Sequence, residues 1–133
     1  DSNKGRAISN NPNVCASFYW PPLERQVIFK GLAKKSDKNY SDSYFSSRPY
    51  KSQAAAIVSK QSEVINSYED LLDRYNKLLD ENKDSVLKRP KNWGGIEINI
   101  KEIEFWQGRE NRLHNRIICR LINDNWDIQL LSP

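Results

Sequence analysis

Apolar positions in this chain recur with two periods, and the period switches from strand-like to helix-like and back. Val14 to Trp20 (VCASFYW) is a mostly apolar run between the turn cluster Asn10-Asn11-Pro12-Asn13 and the breaker Pro21-Pro22, which predicts a largely buried strand. Glu24 to Gly31 resumes as a second strand, with Gln26 and Val27 on different faces because strand side chains alternate. Lys34 to Asn39 is a polar connection. Ser41 to Ser47 reads as a short helix that stops at Arg48, since the residue before Pro49 is pushed out of the helical region. Pro49 suits the first position of the next helix, Pro49 to Ser59, with Ala54-Ala55-Ala56 in its middle. The clearest 3/4 spacing lies in Asn66 to Asn82, where Tyr68, Leu71, Leu72, Tyr75, Leu78 and Leu79 share a stripe, and Asn66 or Ser67 with Glu69 or Asp70 can cap it. After the loop Lys88 to Trp93 and the pair Gly94-Gly95, alternation returns in Ile96 to Ile100, Ile103 to Gln107, Arg116 to Ile122 and Trp126 to Leu131. Strands, then helices, then strands predict an α+β chain: an antiparallel sheet forming a barrel, with the helices grouped mid-chain.

Composition narrows the class. With 133 residues, 38% hydrophobic and 29% charged, the chain reads as one globular domain with a modest core. Four Trp, six Tyr and four Phe are many for this length and suit cores, interfaces and stacking sites. A net charge of +4 and a pI near 9.1 favour an anionic partner without choosing among nucleic acid, phosphorylated metabolite and membrane surface. Cys15 and Cys119 are the only cysteines and lack metal spacing, which points to a reducing, cytoplasmic setting. One histidine without clustered carboxylates argues against a metal site. No apolar run has membrane-spanning length, and no Gly-rich dinucleotide or phosphate-loop fingerprint occurs. The chain opens at Asp1 in polar sequence and contains no Met, so it is expected to be the later part of a longer protein.

Two polar clusters carry candidate chemistry. Read as a strand, Arg112, His114 and Arg116 fall at i, i+2 and i+4 and point to one face, where two guanidiniums and an imidazole form an anion-seeking row; a solvated edge face is the bland alternative. At the helix junction, Tyr44 and Arg48 lie one turn apart and Ser52 falls in the first turn of the following helix, whose N-terminus offers free N–H groups. These are the parts of a phosphate pocket, or else ordinary capping by Ser52 beside a packed Tyr44 and a solvated Arg48. Ser59-Lys60-Gln61-Ser62 is a polar loop able to meet an amide or carbonyl edge.

In several long blocks the chain resembles the C-terminal two thirds of the pyridoxamine 5'-phosphate oxidases, of the FMN-binding split-barrel class. The blocks are Phe18-Tyr19-Trp20 with Leu23-Glu24-Arg25-Gln26-Val27, Tyr44-Phe45-Ser46-Ser47-Arg48-Pro49, Ser52-Gln53 with Val58-Ser59-Lys60-Gln61-Ser62, Trp93-Gly94-Gly95, Ile103-Glu104-Phe105-Trp106-Gln107-Gly108, Arg112-Leu113-His114, and Trp126 with Leu131-Ser132-Pro133. The resemblance implies one FMN-binding split-barrel domain over residues 1–133 whose N-terminal strands are missing. It implies FMN contacts from Lys4, Gln26, Gln61, Ser62, Trp106 and Arg116, with Ser2 in the same phosphate-side motif. Tyr44, Arg48 and Ser52 would hold the phosphate of a vitamin B6 substrate, and Arg112 and His114 would lie over its ring as the catalytic pair. Three positions depart from the pattern: Asn3 where the family has Arg, Ala55 where it has Gly, and Asn115 where it has Asp.

The implied chemistry is oxidation of pyridoxamine or pyridoxine 5'-phosphate to pyridoxal 5'-phosphate, with a hydride passing to the flavin and dioxygen becoming hydrogen peroxide. The implied assembly is a homodimer with FMN at the interface, without nucleic acid or membrane partners. The absent N-terminal third leaves open whether this chain alone holds flavin. Two alternatives stand beside this reading: a related FMN oxidase acting on another ring, such as a phenazine precursor, and a non-catalytic protein binding B6 phosphate or a polyanion.

Overall fold

The computed structural model of the chain describes residues 2–83 and 85–133. They form two compact units, each built from separate stretches: the N-terminal residues to Asn10 with Lys35–Glu97, and Asn11–Lys34 with Ile98–Pro133.

The first unit is helical: α1 (Asn3–Asn10), α2 (Lys38–Ser47), α3 (Tyr50–Val58) and α4 (Tyr68–Glu81). Local chemistry sets the ends. Asp37 caps α2 by accepting the N–H groups of Asn39 at 2.7 Å and Tyr40 at 3.4 Å. Ser67 caps α4 through the N–H of Asp70 at 3.0 Å, with Glu69 and Asp70 in the favourable first turn. Pro49 separates α2 from α3, and Arg48 before it is extended (φ −73°, ψ 150°). The core is Phe45, 1% exposed, with Ala54 and Leu87, and it is flanked by Tyr50, Tyr75, Leu78, Leu79 and Trp93. The apolar stripe of α4 therefore faces α3, as its spacing predicts.

The second unit is an antiparallel sheet in sequence order: β1 (Asn13–Trp20), β2 (Arg25–Lys35), β3 (Ile96–Gln107), β4 (Asn115–Ile122) and β5 (Asn125–Leu131). Asn123 and Asp124, at φ 48° and 62°, make the two-residue turn between β4 and β5; two left-handed residues match the strand twist, and Asn and Asp tolerate that region. One sheet face carries Phe105, Ile117, Trp126, Ile128 and Leu130. Trp126 is 44% exposed, Ile128 65% and Leu130 77%.

Four elements differ from the sequence expectation. The polar opening is a helix, α1, which buries no residue. Strand β2 runs on to Lys35 and α2 begins at Lys38, shortening the expected connection. The segments Ile96 to Ile100 and Ile103 to Gln107 are one strand. Their alternation changes phase because Glu102 and Glu104 occupy the face of Ile98 and Ile100. Cations meet both carboxylates: Lys30 Nζ at 2.7 Å and Arg120 Nε at 3.0 Å from Glu102, and Arg116 Nε at 2.8 Å from Glu104. The fourth is the stretch before β4, where Glu110–Arg112 forms a 3-10 turn instead of strand.

Candidate functional site

The predicted residues fall into two clusters, one per unit. In the helical unit, Tyr44 near the end of α2 and Arg48 at its C-terminal cap meet on Trp93. The Tyr44 ring stacks on the indole (6.0 Å, 19°), and the Arg48 guanidinium carbon is 5.1 Å from the indole centroid. The Nη1 atom of Arg48 is buried and has no hydrogen-bond partner among the described residues. A buried charged donor left unpaired is expensive, so an acceptor belongs there. Buried Gln53 fixes the corner, donating through Nε2 to the carbonyls of Arg48 at 2.8 Å and Ser46 at 3.3 Å. Ser52 lies in the first turn of α3, but its hydroxyl does not cap that helix; Pro49 is the cap residue and no side chain closes the end. Capping as the bland role of Ser52 therefore fails.

The same unit brings together two stretches assigned to FMN. The backbone N–H of Asn3 donates to Ser62 Oγ at 3.3 Å, which sets Ser2 and Lys4 beside Ser62. Ser2 Oγ accepts the N–H of Gly5 at 3.1 Å and so starts α1. Lys4 and Gln61 are exposed, and Ser62 sits at φ 69°, an uncommon backbone for a residue with a Cβ.

In the sheet unit, the expected row of Arg112, His114 and Arg116 is not a strand row. Strand β4 starts at Asn115, and Glu110–Arg112 is a single 3-10 turn with Asn111 at φ 56° and Arg112 at φ 61°. The chain must reverse between two antiparallel strands, and this polar stretch supplies the reversal. Arg112 is exposed on the turn. His114 and Arg116 still converge, through Trp106. Arg116 is the cross-strand partner of Trp106, and the His114 ring is 4.9 Å from the indole. The N–H of Arg109 donates to His114 Nδ1 at 3.2 Å, so the ring hydrogen is assigned to Nε2. Tyr19 reaches the other indole contact at 6.5 Å.

Arg116 is not waiting for a ligand to balance its charge. Its Nε donates to Glu104 at 2.8 Å and its Nη1 to the carbonyl of Ser132 at 3.0 Å. The hydrogen bond to Glu104, then its charge, holds the guanidinium pKa above its ordinary value. Gln26, half-buried on β2, donates to Ser17 Oγ at 3.0 Å. Gly108 closes the end of the cluster: its N–H donates to the Glu24 carbonyl at 2.7 Å, and a Cβ there would stand 2.9 Å from the Glu24 Cβ and 3.1 Å from the Trp106 ring. Sequence reasoning passed over Trp93, Gln53 and Glu104. The signal for Glu104 was a carboxylate in the apolar phase of a strand; Trp93 and Gln53 carried none beyond their places in shared blocks.

Residues 1–107 match the family profile described as pyridoxamine 5'-phosphate oxidase. The chain belongs to that family. Residues 93–133 match a second profile, the pyridoxine 5'-phosphate oxidase C-terminal dimerisation region. Among members of the family, the pyridoxine/pyridoxamine 5'-phosphate oxidase of Flavobacterium psychrophilum is 54% identical over 134 residues, covering 100% of this chain and 63% of that protein. That of Legionella pneumophila (strain Philadelphia 1) is 47% identical over 132 residues, covering 99% of this chain and 61% of that protein. This chain thus spans less than two thirds of the length of these relatives. Among solved structures, PhzG from Burkholderia lata 383, in complex with tetrahydrophenazine-1-carboxylic acid, aligns with a TM-score of 0.91 at 26% identity, over 99% of this chain and 64% of that one. A pyridoxamine 5'-phosphate oxidase-related, FMN-binding protein from Nostoc punctiforme aligns with a TM-score of 0.70 at 11% identity, over 99% and 69%, which speaks to fold alone. The fold class is the one expected, α+β of the antiparallel FMN-binding split-barrel type. Among the described residues no helix is long and apolar enough to cross a membrane, and no three metal-ligating side chains are gathered.

Proposed function

We propose that this chain serves FMN-dependent oxidation of pyridoxamine or pyridoxine 5'-phosphate to pyridoxal 5'-phosphate, with dioxygen as the acceptor. The observation that carries the reading is the buried, unpaired Nη1 of Arg48, whose guanidinium shares the Trp93 indole with Tyr44, with Ser52 in the first turn of the following helix; together they are donors suited to a phosphate. Holding a phosphate remote from the reacting carbon turns binding energy into orientation of the ring. Arg112 and His114 are the groups assigned to the ring, His114 through an Nε2–H donor.

The residues fit FMN chemically. Lys4, Ser2 and Ser62 gather an ammonium and two hydroxyls for a phosphate, and Asn3 in the family's Arg position removes one cation from that group. Gln26 and Gln61 offer amides for a polar ring edge, and Trp106 with Arg116 offers a flat apolar face beside a fixed cation. FMN, when bound, supplies the hydride acceptor and the route to dioxygen. The protein's part is to bind, orient and keep donors in place.

A homodimer, active in the cytoplasm, completes the proposal. The exposed apolar face of Trp126, Ile128 and Leu130 lies inside the dimerisation-region match and supports self-association. The likeness to PhzG favours a second reading, a carboxylated tricyclic ring as substrate. The two separate in one experiment. Flavin-loaded protein is mixed with pyridoxine 5'-phosphate or a tetrahydrophenazine carboxylate, and flavin bleaching and hydrogen peroxide are followed. Turnover of the B6 phosphate is expected; turnover of the phenazine alone, or protein that never takes up FMN, would overturn the proposal.

A further inference from the structure

We infer that Trp93 is a positioning residue for the phosphate-binding pair, a single side chain that both Tyr44 and Arg48 contact; the inference rests on the B6-phosphate reading above. Tyr44 lies parallel to the indole and the Arg48 guanidinium lies over it. Each side chain would otherwise be loose: Tyr44 is an exposed ring, and Arg48 is a long chain on an extended cap residue. Ordering both when a phosphate arrives would oppose binding. Contact with one indole orders them beforehand.

Trp93 is itself held through both its ring and its backbone. Phe45, the most deeply buried large side chain, meets it edge-on at 5.2 Å and 74°. The backbone N–H of Trp93 donates to the Pro90 carbonyl at 3.0 Å, and its backbone carbonyl accepts from the Arg89 guanidinium. Arg89 in turn is paired with Asp42 of α2 through Nε at 2.6 Å, and the N–H of Gly95 reaches Ser41 Oγ at 3.4 Å. The loop bearing Trp93 is thus clasped to the helix bearing Tyr44, and the spacing between indole, phenol and guanidinium is fixed. The surviving freedom of Arg48 is its buried, unpaired Nη1, aimed by the platform beneath it.

The test is a double-mutant cycle on the flavin-loaded protein with pyridoxine 5'-phosphate, with flavin content and far-UV circular dichroism as folding controls. Trp93→Leu is expected to raise KM about 3- to 30-fold, the range of a lost cation–π contact, with kcat nearly unchanged. Trp93→Phe, which keeps an aromatic face, should recover most of that loss. In an Arg48→Ala background the Trp93 substitution should cost clearly less than in wild type, because the share of its effect that runs through Arg48 is already lost. Full additivity of the two changes, or an unaltered KM in a folded Trp93 variant, would overturn the inference. Should the Leu variant not fold, the Phe variant carries the same cycle with a smaller KM shift. Wild-type protein that holds flavin but turns over no pyridoxine 5'-phosphate would sink the functional reading and this inference together; wild-type turnover with indifferent Trp93 variants sinks the inference alone.

Discussion

Arg48 and Arg116 are two guanidiniums with opposite situations. Arg48 has an aromatic face beneath it and a buried donor with no acceptor, whereas Arg116 is clasped by a carboxylate and a carbonyl. The first has a donor to spare for the phosphate proposed above, and the second is held in one place. Arg48→Ala should therefore remove a charge-assisted phosphate contact worth about 1.5–3 kcal/mol, a ten- to hundredfold loss of affinity for pyridoxine 5'-phosphate, with flavin content unchanged. Equilibrium binding beside a flavin spectrum checks it, and full affinity in the variant would move the phosphate pocket elsewhere. Glu104→Gln should act on the other side. It leaves the shape but removes the charge that holds Arg116, so the FMN dissociation constant should rise severalfold while KM for the B6 phosphate stays put. Fluorescence titration of released FMN reads this, and tight flavin with altered KM would reverse the assignment.

At the level of elements, the long helix α4, the Pro49 boundary and the succession of strands, helices and strands along the chain were legible because each rests on local chemistry: a 3/4 stripe, a ring closure, a period of two. Strand β3 was split because Glu102 and Glu104 take positions that alternation reserves for apolar side chains, and their partners Lys30, Arg116 and Arg120 come from other strands. The residues of the site were legible mainly through shared blocks. Its geometry was not, since the left-handed Asn111 and Arg112 that break the strand row follow from chain reversal rather than from any periodic signal. The Lys30–Glu102–Arg120 ladder gives this unit a pH signature. The hydrogen bond from Lys30 holds the Glu102 carboxyl below its ordinary value of 4.5, with Arg120 acting in the same direction. Its contribution is present above about pH 4.5 and fades as pH falls through the depressed value. Lys30, raised above 10.5 by the same bond, contributes below that pH and loses its share in stronger alkali. Urea midpoints should thus be flat between these limits, and Glu102→Gln should flatten the acid limb. An acid limb identical in the variant would show that other carboxyls set it.

For the molecule as a whole, the apolar sheet face on β5 predicts association. Ile128→Lys should shift the protein toward monomer in analytical ultracentrifugation and weaken FMN retention; an unchanged dimer would mean that another surface joins the copies. The order of the strands along the chain has a kinetic consequence. Strands β1 and β2, and β3, β4 and β5, are joined by short turns, but β2 ends at Lys35 and β3 begins at Ile96, on the order of 60 residues later, with most of the helical unit in between. Hairpins close in microseconds, whereas a pairing across so long a segment must first bear the entropy of closing it. The β2–β3 seam, the one at which Gly31 presses against the backbone of Asn99, should be the last pairing to form. Substitutions along that seam would then speed unfolding and leave the folding rate nearly untouched, while those in the β4–β5 turn would slow folding; stopped-flow chevrons distinguish the two.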